Sequence, residues 1–179
     1  TENNTAAFSS AVRERRAAGR CCREALTGGI LSRGVGKKEA FLLTIVVIDG
    51  QGGGIGGRLI EQLRPYLPDA EIIAVGTNGM ATAAMLRAGA NIGATGESAA
   101  VYNCRDADII AGPIGIMQAN AMYGELTPAI ARAVGESPAR RVLIPVSRSR
   151  TYLAGLAEKP ASRYLEDAVG LIVSLAKEE

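Results

Sequence analysis

One stretch of sequence, residues 44–63, limits what this chain can fold into more than any other. It reads TIVVIDGQGGGIGGRLIEQL and opens with the β-branched run 45–48, which is typical of a strand buried on both faces. Six glycines then occupy the eight positions 50–57. Beyond them, apolar residues recur at helical spacing: Ile55, Leu59, Ile60 and Leu63. The stretch therefore predicts a strand, a tight glycine turn and an amphipathic helix.

Glycine suits such a turn because the backbone can reverse direction and approach a ligand without Cβ atoms in the way. The unpaired amides and the dipole at the start of the following helix favour a phosphate group. Two registers are relevant: Gly52-x-Gly54-x-x-Gly57 fits the dinucleotide-binding fingerprint, and Gly50-x-x-x-Gly54-x-Gly56 resembles the short-chain dehydrogenase version. The alternative is a turn that only packs the helix on the strand.

The rest of the chain alternates strand-like and helix-like segments. Further strands are predicted at 71–75, 91–95, 109–111 and 141–146, with 152–157 as a candidate sixth strand. Helical segments separate them, and Thr127-Pro128 is a typical helix start. This alternation predicts an α/β, three-layer Rossmann-like fold, with a mostly parallel sheet of five or six strands and helices on both faces.

Residues 1–43 carry eight basic and four acidic side chains and lack a sustained period. We therefore expect 1–43 to be a flexible or non-native N-terminal extension and 44–179 to be a single Rossmann-like domain. The remaining residues carry twelve basic and fourteen acidic side chains. They therefore lack the basic surplus that would predict a nucleic-acid partner. No apolar run is long enough to predict a membrane span.

The chain has no histidine and three cysteines, Cys21, Cys22 and Cys104. This composition excludes serine–histidine and cysteine–histidine nucleophilic sites, and it leaves too few ligands for a structural zinc site. No set of metal ligands is predicted. The cysteine usage favours a reducing, cytoplasmic setting.

Ligands of open parallel sheets bind at the carboxyl ends of the strands, where the strand order reverses. We expect a cofactor to contact the glycine loop and the ends of the second and fourth strands. The ligand is a small-molecule nucleotide, with NAD(P) among the candidates, or another phosphorylated compound. The predicted contacts are Gly50, Gly52, Gly53, Gly54, Ile55, Gly56, Thr77, Asn78, Gly112, Pro113 and Ile114.

Two features differ from an ordinary NAD site. An acidic residue about 20 positions after the glycines normally binds the ribose hydroxyls, but Gly76-Thr77-Asn78 stands at that place. Asp49 lies where a phosphate would approach. It must face away, bind Mg²⁺, or accept hydrogen bonds from loop amides as in an Asx turn, and we favour the Asx turn.

If the protein is an enzyme, Glu125 is the first candidate for a catalytic acid or base and Glu97 is the second, because no histidine can transfer protons. Both carboxylates also have a structural explanation, since each precedes or begins a predicted helix. No tyrosine is followed four residues later by lysine, so the catalytic pair of short-chain dehydrogenases is absent. Apolar residues in 114–123 predict a ligand groove or a homo-oligomer interface.

One family has motifs similar to five longer stretches of this chain: VIDGQGGGIG, GTNGMATAAMLRAGA, GATGESAAVYN, GPIGIMQANAMYGELTP and VLIPVSR. It is the uncharacterised bacterial family described as domain of unknown function 3842. The resemblance runs from about residue 44 to the end and implies a small cytoplasmic α/β domain. It brings no activity and no catalytic residues to carry over.

The leading hypothesis is a protein that binds a nucleotide or dinucleotide through the glycine loop. One alternative is a non-catalytic ligand-sensing or protein-interaction domain with the same fold. A second is a Mg²⁺-assisted enzyme that acts on a phosphorylated metabolite through Asp49.

Overall fold

The computed structural model describes residues 43–146, 151–157 and 159–178. Five strands lie in this part of the chain: β1 (Thr44–Asp49), β2 (Glu71–Gly76), β3 (Ile92–Thr95), β4 (Ile109–Pro113) and β5 (Arg140–Ile144). The α-helices here are α1 (Gly54–Leu63), α2 (Gly79–Arg87), α3 (Glu97–Asn103), α4 (Pro128–Glu136) and α5 (Ala161–Lys177). Two short 3-10 helices, Ile114–Met117 and Met122–Gly124, connect β4 to α4.

The strands form one sheet in the order β3-β2-β1-β4-β5. Every neighbouring pair is parallel, and the central residue Ile45 lies opposite Ile72 on one side and Ile109 on the other. The chain builds outward from β1 to β3 and then crosses back to place β4 on the other side of β1. The strand order therefore reverses beside β1, and the carboxyl ends of all five strands lie along one edge of the sheet.

The two faces of β1 explain its unbroken apolar run. Ile45 and Val47 pack with apolar side chains of α1, α2 and α5, whereas Val46 and Ile48 pack with those of α3 and α4. All four side chains are fully buried. A parallel strand covered by helices on both faces needs apolar residues at every position. The predicted α/β architecture is confirmed, and the sheet is wholly parallel.

Side-chain caps set the starts of two helices. Asn78 Oδ1 accepts a hydrogen bond from the Ala81 amide at 2.9 Å at the start of α2. Thr127 Oγ1 accepts one from the Ile130 amide at 3.3 Å at the start of α4, with Pro128 as its first residue. The predicted Thr127-Pro128 helix start is confirmed, and these caps satisfy amides that the first helical turn leaves unpaired.

The candidate sixth strand is wrong. Residues 151–157 are exposed and irregular, and Gly155 adopts a left-handed φ of 78° that turns the chain. An exposed segment without a strand partner gains none of the ladder hydrogen bonds that would hold it extended. The predicted N-terminal extension, apart from Leu43, lies outside the described residues. Within the described residues, no helix combines the length and the apolar character that crossing a membrane requires.

Candidate functional site

Asp49 ends β1 and holds the glycine loop in place. Its Oδ1 accepts a hydrogen bond from the Gly50 amide and its Oδ2 accepts one from the Gly56 amide, each at 2.8 Å. Burial raises the pKa of the Asp49 carboxyl above its ordinary value, although the amides of Gly56, Gly50 and Ile55 act in the opposite direction and Glu125 adds a small upward effect. The prediction that Asp49 accepts hydrogen bonds from loop amides is confirmed, but the geometry is not an Asx turn, because the donors lie one and seven residues after Asp49 instead of two.

The same contacts make Asp49 a poor candidate for a metal ligand. Both carboxylate oxygens already accept amide hydrogen bonds, and the side chain is buried. Among the residues that the structure describes, no group of three or more cysteine, aspartate or glutamate side chains could hold a metal ion. The arrangement gives Mg²⁺ no oxygen-rich set of ligands of the kind it prefers.

Two glycines of the loop are required by its packing. Gly53 has a left-handed φ of 66°, and a Cβ there would lie 2.7 Å from the Ala81 carbonyl oxygen. A Cβ at Gly56 would lie 2.6 Å from the Met85 sulfur. These glycines let α1 lie close to α2, so they fit the packing explanation of the turn.

Gly52 and Gly54 differ from these two glycines. Both are exposed, neither has a left-handed φ, and a Cβ at either position would meet no described atom within 4 Å. Their amides donate no hydrogen bond within the described part of the chain. Neither a left-handed backbone nor packing therefore requires glycine at these two positions. The neighbouring Ile55 packs its side chain against the core.

A group that we call the Glu125 cluster, formed by Gln51, Thr77, Asn78 and Glu125, joins the glycine loop to the end of β2. Glu125 Oε2 accepts hydrogen bonds from the Gln51 amide at 2.7 Å, from Thr77 Oγ1 at 2.5 Å and from Asn78 Nδ2 at 2.9 Å. Asn78 Nδ2 also donates to the Gln51 carbonyl oxygen at 2.9 Å. Residues from three separate segments thus meet around one carboxylate.

The charge of Glu125 follows from these contacts. Partial desolvation raises the pKa of its carboxyl, but the hydrogen bonds from Thr77, Gln51 and Asn78 together outweigh that effect, so the pKa lies below its ordinary value. Glu125 is therefore ionised near neutral pH. All three donors share Oε2, and Oε1 accepts no hydrogen bond within the described residues.

The segment before Glu125 is held in an unusual backbone conformation. Asn120, Met122 and Tyr123 adopt left-handed φ values of 63°, 55° and 59°. Such conformations cost of order 1 kcal/mol or more for residues other than glycine, and they cluster at functional sites. A Cβ at Gly50 would lie 2.7 Å from the Met122 sulfur, so the loop places Met122 against the glycine turn.

The apolar stretch 114–123 contributes mainly to this packing. Ile116 is fully buried and Ile114 and Met122 are half-buried, whereas Tyr123 is 98% exposed. Ile114 also lines a cavity of about 640 Å³ with Tyr152, Leu156 and Tyr164. The homo-oligomer interface stays a prediction.

The remaining predicted site residues lie in different settings. A Cβ at Gly112 would collide with the Ile48 carbonyl oxygen on the neighbouring strand, and Pro113 is buried at the end of β4. Glu97 is exposed in the first turn of α3 and makes no hydrogen bond to the Glu125 cluster in the described chain. The structure therefore brings Glu125 together with Gly50, Thr77 and Asn78 and leaves Glu97 outside the group.

Sequence reasoning named Glu125, Thr77 and Asn78 separately but missed their mutual contact, and it missed Gln51 and Met122. Two signals pointed toward the contact: an acidic residue is missing after β2, and Glu125 has no capping role because Thr127 caps α4. Asn120 and Gly124 are residue types that favour such a backbone, but the left-handed Met122 and Tyr123 carry no sequence signal.

Comparison with known proteins gives one family. The model of a family described as a domain of unknown function (DUF3842) matches residues 44–177, and the chain belongs to that family. No curated protein and no solved structure matches the chain.

Proposed function

We propose that this member of the DUF3842 family binds a nucleotide or dinucleotide, with a phosphate group on the amides of Gly52 and Gly54. One observation supports this proposal above all. Gly52 and Gly54 are exposed, their amides donate no hydrogen bond in the described chain, and packing does not require glycine at either position. A phosphate at this position would accept hydrogen bonds from both amides. It would also lie at the positive end of the α1 dipole.

The sheet topology supports the same location. The order β3-β2-β1-β4-β5 reverses between β1 and β4, and the glycine loop leaves β1 at that point. Ligands of open α/β sheets bind in the crevice outside the strand ends at such a reversal. Asp49 does not compete for the two free amides, because its oxygens accept from Gly50 and Gly56.

The alternatives have less support from the geometry. A Mg²⁺-assisted reaction through Asp49 has less support, because the side chain is buried and both of its carboxylate oxygens already accept hydrogen bonds from the loop. A non-catalytic sensing or protein-interaction domain that has lost the cofactor would give no role to the unpaired amides of Gly52 and Gly54. We propose nucleotide binding alone, with or without catalysis.

Titration calorimetry with NAD⁺, NADH, ATP and AMP tests the proposal. Gly54→Val adds a branched side chain to an open position, so the variant should fold but bind at least about tenfold more weakly, since a hydrogen bond to a charged group is worth roughly 1.5 kcal/mol or more. Gly170→Val is the matched control, because Gly170 is also an open, exposed helical glycine but lies in α5. It should bind as the native protein does.

Two results would contradict the proposal. One is the failure of every nucleotide to bind more tightly than about 1 mM. The other is unchanged affinity in a folded Gly54→Val variant, which would show that ligands do not approach the loop at that position.

We also propose a cytoplasmic setting, as the cysteine usage favours. Cys104 is a buried free thiol, and burial raises its pKa to about 11. The thiol is therefore protonated near neutral pH and has little of the thiolate form that reacts.

A further inference from the structure

We infer that Glu125 supplies the ribose-binding carboxylate that the end of β2 lacks, and that the site therefore selects nucleotides with a free ribose 2′-hydroxyl over those with a 2′-phosphate. The inference rests on the proposed nucleotide site. It names Glu125 as the residue that determines specificity within that site.

The end of β2 lacks an acidic residue. In dinucleotide-binding folds, an acidic residue at this strand end accepts hydrogen bonds from the ribose hydroxyls. Here β2 ends at Gly76 and is followed by Thr77 and Asn78, neither of which carries a charge. Both side chains instead donate to Glu125 Oε2, at 2.5 and 2.9 Å. A residue 47 and 48 positions later in the chain thereby brings a carboxylate to this strand end.

One oxygen of the Glu125 carboxylate is available to a ligand. Glu125 Oε2 accepts three hydrogen bonds, and Oε1 accepts none within the described residues. Three donors from two other segments fix the carboxylate, so Oε1 is held in place without being used. An oriented carboxylate oxygen of this kind accepts a hydroxyl hydrogen bond at a low cost in side-chain entropy.

Glu125 lies next to the glycine loop, where the proposed phosphate binds. One of the three donors is the amide of Gln51, which directly precedes Gly52 in the glycine loop. The carboxylate therefore lies between the end of β2 and the amides proposed to bind phosphate. A ribose joined to that phosphate would come next to Glu125.

The negative charge of Glu125 would disfavour a 2′-phosphate. A phosphate on the ribose 2′-oxygen would bring a second anion next to the Glu125 carboxylate, and like charges at close range are strongly unfavourable. No arginine or lysine forms an ion pair with Glu125 in the described chain, so no cation there offsets the repulsion. The carboxylate should therefore accept a hydroxyl and exclude a phosphate.

Two matched ligand pairs test this inference by titration calorimetry on the full chain. The native protein should bind NAD⁺ at least about tenfold more tightly than NADP⁺, because of the like charges. It should also bind ATP about tenfold more tightly than 2′-deoxy-ATP, because the hydroxyl donates to a charged acceptor. In Glu125→Gln both ratios should fall toward one.

Glu61→Gln is the matched control, because Glu61 is an exposed glutamate on α1 outside the Glu125 cluster. It removes the same charge and should keep both native ratios. Each ratio compares two ligands on one protein, so a general loss of stability in a variant does not imitate the effect. If Glu125→Gln does not fold, equal native affinities within each pair would still overturn the inference, and native ratios of about ten would still support the expected selectivity for the 2′-hydroxyl.

The outcomes separate the two proposals. Equal affinity for both members of each pair in the native protein would overturn the ribose role of Glu125 and leave the nucleotide site standing. Native ratios that persist unchanged in a folded Glu125→Gln variant would assign the selectivity to another residue. No binding by any of the four nucleotides would overturn the nucleotide site and the ribose role together.

Discussion

Glu125 shows how a residue acquires its properties from distant partners. Its three donors come from Gln51, Thr77 and Asn78, so its charge state and orientation depend on segments 47 to 74 positions away. Each donor favours the ionised form, which links the stability of the folded protein to pH.

The folded protein should lose the contribution of Glu125 in acid. The folded-state pKa lies below the ordinary 4.5, so this contribution is present above that value and is lost as pH falls through the folded-state pKa. Urea unfolding between about pH 6 and about pH 3 should therefore show a smaller loss of unfolding free energy for Glu125→Gln than for the native protein. Equal losses in the two proteins would contradict this prediction.

Two comparisons isolate the effect of Glu125. Glu61→Gln is the control variant, because Glu61 is an exposed glutamate on α1 outside the Glu125 cluster. Asp49 acts with the opposite sign, since its raised pKa makes stability fall as pH rises above the ordinary 3.8. The difference between variants, not the native curve alone, therefore reports on Glu125.

Gly112→Ala should destabilise the protein strongly. The added Cβ would collide with the carbonyl oxygen of Ile48 in the adjacent strand, and two paired backbones at the sheet centre cannot move apart without loss of hydrogen bonds. We expect a loss of about 3 kcal/mol or more in urea unfolding, at the upper end of overpacking effects. A loss below about 1 kcal/mol would show that the strands can separate.

At the scale of elements, two helix starts show different uses of a cap. Thr127 Oγ1 caps α4 and makes no second side-chain hydrogen bond in the described residues. Asn78 caps α2 with Oδ1 and also uses Nδ2 to join the Glu125 cluster. The start of α2 is therefore part of the candidate site, whereas the start of α4 serves the helix.

Asn78→Asp should separate these two uses. Aspartate is as good a helix cap as asparagine, but it would place an oxygen against Glu125 Oε2 and the Gln51 carbonyl in place of the donating Nδ2. We expect a loss of about 2 kcal/mol in unfolding free energy, since polar groups lose their partner and face like charge. Thr127→Ser keeps its cap and should change stability little; an equally small effect of Asn78→Asp would contradict the role of Nδ2.

A substitution at Gly170 in helix α5 should raise stability, whereas the one at Gly112 should lower it. Gly170 lies in its interior, is exposed, and has open space where a Cβ would be. Gly170→Ala should stabilise the protein by about 0.5 to 1 kcal/mol, because alanine loses less backbone entropy in a helix. Thermal unfolding should show a higher melting temperature, and a decrease would mean that this surface of α5 is not open.

At the scale of the whole molecule, ligand binding and folding are linked. A nucleotide that binds only the folded protein stabilises it by about 2.7 kcal/mol at a concentration 100 times its dissociation constant. The melting temperature of the native protein and of Gly170→Val should therefore rise by several degrees with NAD⁺. Gly54→Val should show little rise at the same concentration, and an equal rise in all three proteins would place the ligand elsewhere.

The order of the strands gives the molecule its candidate site. Because β1 is central and the chain crosses over after β3, the loops after β1 and β4 leave the sheet in opposite directions. The glycine loop, the end of β2 and the segment before α4 meet there through the Glu125 cluster. No single element contains this arrangement.

The elements themselves could be predicted from local pattern. The β-branched run of β1, the helical spacing in α1 and the Thr127-Pro128 start each act within a few residues, so they are visible in the sequence. The tight glycine turn was also predicted from local sequence, although Gly53 and Gly56 were predicted as cofactor contacts and the structure gives them a packing role. Apolar residues at 152–157 suggested a strand, but pairing depends on contacts far along the chain, and this exposed segment forms no strand in the structure.

Tertiary structure alone decided which carboxylate reaches the end of β2. The sequence shows that no acid follows that strand, but Glu125 lies far away and becomes a neighbour only when α4 packs on the sheet and the left-handed residues 120, 122 and 123 turn the chain back. Hydrogen bonds form wherever folding brings donor and acceptor together, and periodicity records only which face of an element is buried. Local sequence patterns therefore determine the helices and strands, whereas the site depends on contacts between residues far apart in the chain.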